Sequence, residues 1–152
     1  MKVVAIVGKR KTGKTSLIEQ LIAALKEHGK VGCIKHAHEL ELSSPVARDT
    51  DRFFTAGAAV VVGASPNRTI TLTGERSLTD LIEEMASAGV DFLLVEGFKN
   101  SDLPKLSLSD FPPEEVQNIL ARVELSGNPE TQAAVVRDVV QRIRSLNEYY
   151  HT

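Results

Sequence analysis

An eight-residue segment, GKRKTGKT from Gly8 to Thr15, constrains the fold of this chain more than any other feature of its sequence. It matches the pattern G-x-x-x-x-G-K-[ST] in full, and it stands between a β-branched apolar run, Val3–Val7, and a segment with helical periodicity that starts near Lys14. Glycine at the turns lets several backbone N–H groups approach the oxygens of one phosphate group. The sequence therefore predicts a strand, a phosphate-binding loop and a helix in succession.

Each type of residue in this segment, called the glycine-rich loop below, has a predicted part in binding a nucleoside triphosphate. The start of the helix offers unpaired N–H groups and a partial positive charge. Lys14 is expected to neutralise the β- and γ-phosphates, and the Thr15 hydroxyl is expected to ligate Mg²⁺. The predicted nucleotide contacts are Gly8, Lys9, Arg10, Lys11, Thr12, Gly13, Lys14, Thr15 and Ser16.

Three consecutive cations, Lys9, Arg10 and Lys11, fill variable positions of the loop. One interpretation is a solvated loop that strengthens the local field on a polyanionic ligand. An alternative is that Lys9 reaches a nucleotide across a dimer interface, as a lysine at this position does in some dimeric P-loop NTPases.

Hydrophobic periodicity predicts strands alternating with helices along the rest of the chain. The predicted strands are Val3–Val7, Val31–Lys35, Ala58–Val62, Arg68–Thr73, Phe92–Val95, Lys105–Ser109 and Ile119–Leu125, and the predicted helices are Lys14 to about His28, Arg48–Ala56, a segment between Ser77 and Gly89, and a last helix capped by Asn128. We expect Ala58–Val62 to be a buried strand, Arg68–Thr73 to lie at a sheet edge, and residues 36–45 to form a polar loop. The spacing favours a three-layer α/β/α P-loop NTPase fold with a mostly parallel sheet.

The composition narrows the class of protein. A chain of 152 residues, 42% hydrophobic and 25% charged, suits one globular domain, here expected over residues 1–152. A net charge of −2 gives no general attraction to nucleic acid or to anionic lipid. Because neither a membrane-spanning apolar run nor a cleavable leader is recognisable, and the one cysteine is expected to be buried and reduced, we expect a cytoplasmic protein.

A carboxylate follows the predicted strand in the segment DFLLVEGFK, from Asp91 to Lys99. Ligands of parallel α/β sheets bind at the carboxyl ends of the strands, so Glu96 and Gly97 should lie near the glycine-rich loop. Glu96 is predicted to hold Mg²⁺, directly or through water, or to orient an attacking water. The alternative is an acid that caps the loop without touching a ligand.

Two further pairs of residues allow more than one interpretation. His36 and His38 alternate after a strand. His36 is a candidate contact of the nucleotide, while a metal shared by the two histidines lacks an evident third ligand. Asp49 and Arg52 are candidates for the Mg²⁺ shell or an anionic ligand. An ordinary ion pair on a helix surface explains them equally well.

Four segments together resemble one protein family. They are GKRKTGKT, VGCIKHAH (Val31–His38), RDTDRFFTAGAA (Arg48–Ala59) and LLVEGFK (Leu93–Lys99). This combination, which spans Val3 to about Lys105, resembles the MobB family of GTP-binding proteins of molybdopterin-guanine dinucleotide biosynthesis. The resemblance implies a homodimeric, weakly hydrolysing GTP- and Mg²⁺-binding accessory protein that supports the guanylyltransferase joining GMP to molybdopterin. It leaves contact with molybdopterin itself open, and it makes a pterin phosphate an alternative contact for His36.

Two rival functions remain compatible with the loop. One is a P-loop small-molecule kinase, although no arginine-rich lid segment is recognisable. The other is a metal-insertion GTPase, which the two histidines permit and the lack of a cysteine cluster disfavours. Guanine specificity follows from the resemblance alone, because the chain contains no N-K-x-D segment.

Overall fold

The computed structural model describes residues 1–38 and 45–149, with backbone only for 45–47. Internal contacts divide the chain into two compact units, residues 1–36 with 81–152, and residues 37–80. The expectation of a single domain over residues 1–152 stays a prediction, and the two units are described in turn.

The described residues form seven strands and four α-helices. The strands are β1 (Lys2–Val7), β2 (Val31–Lys35), β3 (Val60–Ser65), β4 (Arg68–Thr73), β5 (Phe92–Glu96), β6 (Lys105–Leu108) and β7 (Ile119–Val123). The helices are α1 (Lys14–Leu25), α2 (Pro45–Thr55), α3 (Leu78–Ser87) and α4 (Pro129–Arg144), and a short 3-10 turn spans Pro113–Glu115.

The first unit contains a five-stranded sheet in the order β2-β5-β1-β6-β7. Every neighbouring pair in it is parallel, so the carboxyl ends of all five strands meet at one edge. The strand β1 lies in the middle, between β5 and β6, and the glycine-rich loop follows it directly. This order places the loop at the carboxyl edge of the sheet, flanked by the ends of β5 and β6.

One face of this sheet packs against α1 and α4. Alternate strand residues such as Val4, Ile6 and Leu94 form a buried cluster with Leu17 and Leu21 of α1. The helical repeat of about 3.6 residues puts the apolar side chains of α1 on one face, and the alternation of the strands puts theirs on the facing side of the sheet. Packing of these two surfaces excludes water from the centre of the unit.

The opposite face of the sheet carries α3. A Cβ added to Gly32 of β2 would lie 3.2 Å from Sδ of Met85 in α3. Gly32 is in register with Leu93, whose side chain points away from the face that Leu94 shares with α1. Helices therefore cover both faces, and the predicted three-layer α/β/α fold with a mostly parallel sheet is confirmed.

The second unit holds α2 and the antiparallel pair β3–β4, whose ends are joined at Pro66 and Asn67. The prediction of a buried strand at Ala58–Val62 is wrong: the strand begins at Val60, and Val60 and Val62 are each 59% exposed. The prediction of a sheet edge at Arg68–Thr73 is confirmed, because β4 pairs only with β3, in a separate two-stranded sheet. A run of valines was interpreted as buried on both faces, whereas a two-residue turn makes it one arm of a hairpin with alternating burial.

Two smaller differences concern the first unit. Helix α1 ends at Leu25 instead of about His28, and the next residues form a turn. Cys33 is exposed instead of buried, since it lies on the edge strand β2. Most of the polar loop predicted over residues 36–45 lies outside the described residues.

Among the residues that the structure describes, no helix is both long enough and apolar enough to cross a membrane.

The predicted start of the last helix is confirmed. Oδ1 of Asn128 accepts hydrogen bonds from the N–H groups of Glu130 and Thr131 at 3.0 and 3.1 Å, and Pro129 occupies the first turn. These contacts satisfy donors that have no partner within the helix.

We expect Asn128→Ala to lower the free energy of unfolding by about 1 kcal/mol, because two helix N–H groups lose their acceptor. Urea denaturation followed by circular dichroism measures the change. Asn147→Ala, at an exposed position beyond α4, is the matched control and should have no effect. Equal midpoints for both variants would contradict the capping role.

Candidate functional site

The glycine-rich loop turns sharply back before α1. Lys11 and Gly13 both have positive φ, +62° and +91°, and α1 begins immediately afterwards at Lys14. A Cβ on Gly13 would also lie 2.6 Å from Cδ1 of Leu125, in the loop after β7. Glycine is therefore required at position 13 for its backbone conformation and for its close neighbour.

The first turn of α1 leaves its N–H groups available to a ligand. The first hydrogen bond of the helix runs from the N–H of Leu17 to the carbonyl of Gly13 at 2.9 Å, so Lys14, Thr15 and Ser16 donate nothing to the helix interior. Gly13 supplies no side-chain cap, and the first turn contains no acidic residue. Unpaired donors and the helix dipole make this end suited to an anion.

The Lys14 ammonium lies within the curve of the loop. It donates hydrogen bonds to the carbonyl oxygens of Gly8, at 2.9 Å, and of Lys9. The hydroxyl of Thr12 donates to the same Lys9 carbonyl at 2.8 Å. The loop thus concentrates one cation and a set of backbone donors, as the sequence predicts, while Lys9, Arg10 and Lys11 are exposed.

Glu96 ends β5 at the carboxyl edge of the sheet. It continues the alternation of Phe92 and Leu94, which points it to the side of the sheet that carries α1. Its side chain is 16% exposed, and Oε2 lies 3.7 Å from Nζ of Lys35 on the neighbouring strand. The carboxylate is placed on the same side as the loop, with one partly solvated cation beside it.

The ends of β2 and β5 join at His36 and Gly97. The N–H of His36 donates to the carbonyl of Glu96 at 3.0 Å, and the N–H of Gly97 donates to the carbonyl of Ile6 at 3.1 Å. Gly97 has φ +96°, and a Cβ there would lie 3.1 Å from Cβ of His36. Glycine after Glu96 thus lets three strand ends approach one another.

A cavity of about 450 Å³ opens beside the loop. It is lined by Ile6, Val7, Gly8, Lys14, His36, Gly97, Phe98, Lys99, Asn100, Ser101 and Phe111. The rings of His36 and Phe98 stack with centroids 4.4 Å apart. Four predicted site residues therefore meet here (Gly8, Lys14, His36 and Gly97), and the roles assigned to them stay predictions.

Sequence reasoning did not identify Lys105, which anchors a wall of this cavity. Its side chain is fully buried, and its ammonium donates to the carbonyl oxygens of Ser101 and of Leu103, the latter at 3.0 Å. Nearby, Nδ2 of Asn118 donates to the carbonyl of Asp102 at 2.9 Å. The signal in the sequence was a lysine at the start of the apolar strand KLSL. A lysine that is buried there needs hydrogen-bond acceptors for its ammonium inside the protein.

The remaining predicted residues lie in the second unit. Asp49 and Arg52 form an i, i+3 ion pair at 3.7 Å, with the arginine side chain 82% exposed and the aspartate 68% exposed. This contact fits the interpretation of an ordinary helix-surface pair. His38 is exposed, and among residues 1–38 and 45–149 no group of three or more His, Cys, Asp or Glu residues is placed to hold a metal ion.

Donors of the correct chemistry for Mg²⁺ are present at the loop. Magnesium prefers oxygen ligands and is commonly held by one or two protein groups together with substrate phosphates. The hydroxyl of Thr15, in the first turn of α1, and the carboxylate of Glu96 are both hard oxygen donors. The residues therefore fit a phosphate-bound magnesium ion.

Fold and loop together define the class of this chain, an α/β protein with a P-loop NTPase-like fold. The family model "MobB: Molybdopterin guanine dinucleotide synthesis protein B" matches residues 3–124. The chain belongs to this family, which confirms the resemblance drawn from the KHAH and VEGFK segments. The family model also matches residues beyond Lys105, the approximate end of the four segments that carry the resemblance.

Named relatives agree with this assignment. The chain is 36% identical over 104 residues to the molybdopterin-guanine dinucleotide biosynthesis adapter protein of Escherichia coli, covering 64% of this chain and 59% of that protein. It is 30% identical over 110 residues to a provisionally named adapter protein of Methanocaldococcus jannaschii, covering 70% of this chain and 46% of that protein. The chain thus spans about half the length of these curated relatives.

Solved structures share the fold. The crystal structure of Bacillus subtilis MobB has a TM-score of 0.74 and 26% identity, with 96% of this chain and 100% of that chain covered. A MobB homologue from Bacillus stearothermophilus has a TM-score of 0.70 at 22% identity, with 96% and 100% covered, and supports the fold alone.

We expect Lys105→Met to lower the free energy of unfolding by about 1–3 kcal/mol, because it leaves two carbonyl oxygens without their donor. Chemical denaturation at neutral pH measures the loss. Lys26→Met, at an exposed lysine just after α1, is the control and should stay close to wild type. A Lys105→Met protein as stable as the control would contradict the anchoring role.

Comparison of wild type with Lys105→Met also tests how Lys105 makes the stability depend on pH. Burial lowers the pKa of the Lys105 ammonium below its ordinary value of 10.5, and the charge of Asp102 opposes this shift in part. Between the lowered pKa and 10.5 the unfolded chain binds more protons, so this group makes stability rise with pH. We therefore expect the free energy of unfolding of wild type, minus that of Lys105→Met, to rise with pH over this range. A difference that does not change with pH would show that Lys105 is not the source of the effect.

Proposed function

We propose that this chain is a cytoplasmic GTP-binding adapter in the biosynthesis of molybdopterin guanine dinucleotide. In this role it supports the guanylyltransferase that attaches GMP to molybdopterin, and it hydrolyses GTP slowly with Mg²⁺. The observation that carries the proposal is the glycine-rich loop, where positive φ at Gly13, the free N–H groups of α1 and the Lys14 ammonium converge. Membership of the MobB family supports the pathway.

Binding of the triphosphate follows from the chemistry of the loop. Backbone N–H groups cradle the α- and β-phosphates, and the lysine of such a loop reaches the β- and γ-phosphates. On binding, the Lys14 ammonium exchanges its two carbonyl acceptors for charged phosphate oxygens, which are stronger partners. The preference for guanine is supported by the family alone.

Slow hydrolysis is consistent with the surroundings of Glu96. The carboxylate lies 3.7 Å from the ammonium of Lys35, and its side chain is 16% exposed. An ionised carboxylate can bind Mg²⁺ or a water in the magnesium shell, and the Thr15 hydroxyl can supply a second oxygen. Turnover beyond this basal level is assigned to the complex with the partner enzyme.

A homodimer is the assembly we propose for this chain. Sedimentation velocity of the purified protein tests it, and a monomer at micromolar concentration would contradict it. If Lys9 reaches the nucleotide of the other copy, Lys9→Ala weakens GTP binding in the dimer and not in a monomeric variant.

We expect Lys14→Ala to weaken GTP binding by about tenfold or more, because charge-assisted hydrogen bonds contribute about 1.5–3 kcal/mol each. Isothermal titration with GTP and with ATP, each with and without Mg²⁺, measures the affinity and the preference for the base. Lys26→Ala, an exposed lysine just after the same helix, should bind as wild type does. Equal affinities for both variants at matched Mg²⁺ would remove Lys14 from the site.

Glu96→Gln tests the magnesium assignment separately. It keeps the size of the side chain and removes its charge, so GTP affinity without Mg²⁺ should stay the same. The gain in affinity on adding Mg²⁺ should fall by about tenfold, the lower end of the range for losing a group that supports a metal's ligands, such as a carboxylate acting through water. Glu27→Gln, in the exposed turn after α1, is the control. An unchanged magnesium effect would show that Glu96 only caps the loop.

A further inference from the structure

Two lysines from different elements line the cavity beside the glycine-rich loop. One is Lys14, in the first turn of α1, and the lysine of such a loop contacts the β- and γ-phosphates, so the cavity lies at the γ-phosphate end of the proposed nucleotide site. The other is Lys99, in the segment after β5. Among the described residues, those that line the cavity include no aspartate or glutamate. A terminal phosphate at this end would therefore meet two ammonium groups and no carboxylate from the lining.

The backbone that carries Lys99 is fixed on both sides. Phe98 has φ +52°, a conformation that is uncommon for a residue with a side chain, and its ring stacks on His36 with centroids 4.4 Å apart. The N–H of Ser101 donates to the carbonyl of Phe98 at 2.9 Å, which closes a turn that contains Lys99. The carbonyl of Ser101 in turn accepts a hydrogen bond from the buried ammonium of Lys105. These contacts hold the backbone of Lys99 at the cavity.

The side chain of Lys99 is bound by a surface carboxylate. Its Nζ donates to Oε2 of Glu115 at 3.0 Å and lies 5.7 Å from the centroid of the Phe111 ring. Both side chains of the ion pair are half-exposed. Because exposed ion pairs contribute little to stability, this one costs little to break, and a stronger anion nearby can take the lysine from Glu115.

A γ-phosphate is such an anion. A terminal phosphate carries more negative charge at neutral pH than one carboxylate, and it presents three acceptor oxygens. Hydrogen bonds between an ammonium and a phosphate are among the stronger hydrogen bonds in proteins. A nucleoside diphosphate has no phosphate at the γ position, so this exchange of partners requires the triphosphate.

We propose that Lys99 is a second contact of the γ-phosphate, held by Glu115 until a nucleoside triphosphate binds and then transferred to the phosphate. The exchange makes the affinity for the triphosphate depend on an ion pair outside the glycine-rich loop. It also lets the segment after β5 distinguish a triphosphate from a diphosphate. This inference rests on the proposed function, in which GTP occupies the glycine-rich loop.

Isothermal titration of the full chain with a non-hydrolysable GTP analogue and with GDP, both with Mg²⁺, tests the exchange. We expect Lys99→Met to weaken binding of the analogue by about tenfold and to leave GDP affinity unchanged, while Lys99→Arg retains most of the analogue affinity. Glu115→Gln should strengthen binding of the analogue by about threefold, because Lys99 no longer has to leave a carboxylate. Lys26→Met and Glu114→Gln, at exposed positions, are the matched controls, and Glu114→Gln removes the same charge from the same turn.

A double variant separates the exchange from a general change of charge. In the Lys99→Met background, Glu115→Gln should have no more effect than Glu114→Gln, because the carboxylate has no lysine left to hold. Equal losses of GDP and analogue affinity in Lys99→Met, or no loss of either, would overturn the inference. So would a gain from Glu115→Gln that Glu114→Gln matches or that persists without Lys99. A wild-type chain that binds neither GDP nor the analogue would instead overturn the proposed function, and this inference with it.

Discussion

The backbone turn between β1 and α1 is the constraint on which the rest of the site depends. Positive φ at Gly13 lets the chain reverse and start a helix at Lys14 with its first N–H groups unpaired. That geometry puts donors and one ammonium around a single point at the carboxyl edge of the sheet. It is held in place because β1 lies in the middle of the sheet and is almost fully buried on both faces.

Strand order then determines what surrounds this point. With β5 beside β1 in parallel register, Glu96 and Gly97 end level with the loop, and β2 brings His36 to the same edge. The neighbour on the other side, β6, contributes the turn with Asp110 and Phe111. Acidic, aromatic and basic groups far apart in sequence thus lie at one edge, as the general rule for ligand sites in parallel sheets requires.

Lys105 connects the interior of the sheet to the wall of the site. Its ammonium is buried at the start of β6 and donates hydrogen bonds to carbonyl oxygens of the segment that follows Gly97. A loop near a ligand is normally among the more mobile parts of a protein. Here a buried cation holds the backbone of that segment and so restricts the side chains that precede Lys105. Binding of a ligand to side chains that are already ordered has a smaller entropic cost.

The sequence by itself determined the local parts: the loop from its glycines and lysine, the boundaries of β2 and β4 from their patterns, and the start of α4 from Asn128. These depend on interactions between near neighbours, which a pattern records. Only the tertiary structure decided that the valines of β3 belong to a hairpin, and that Phe98 and Phe111 line the cavity beside the glycine-rich loop. Partner strands and shared walls come from contacts between distant segments, and residue type alone carries no record of which segment will be the neighbour.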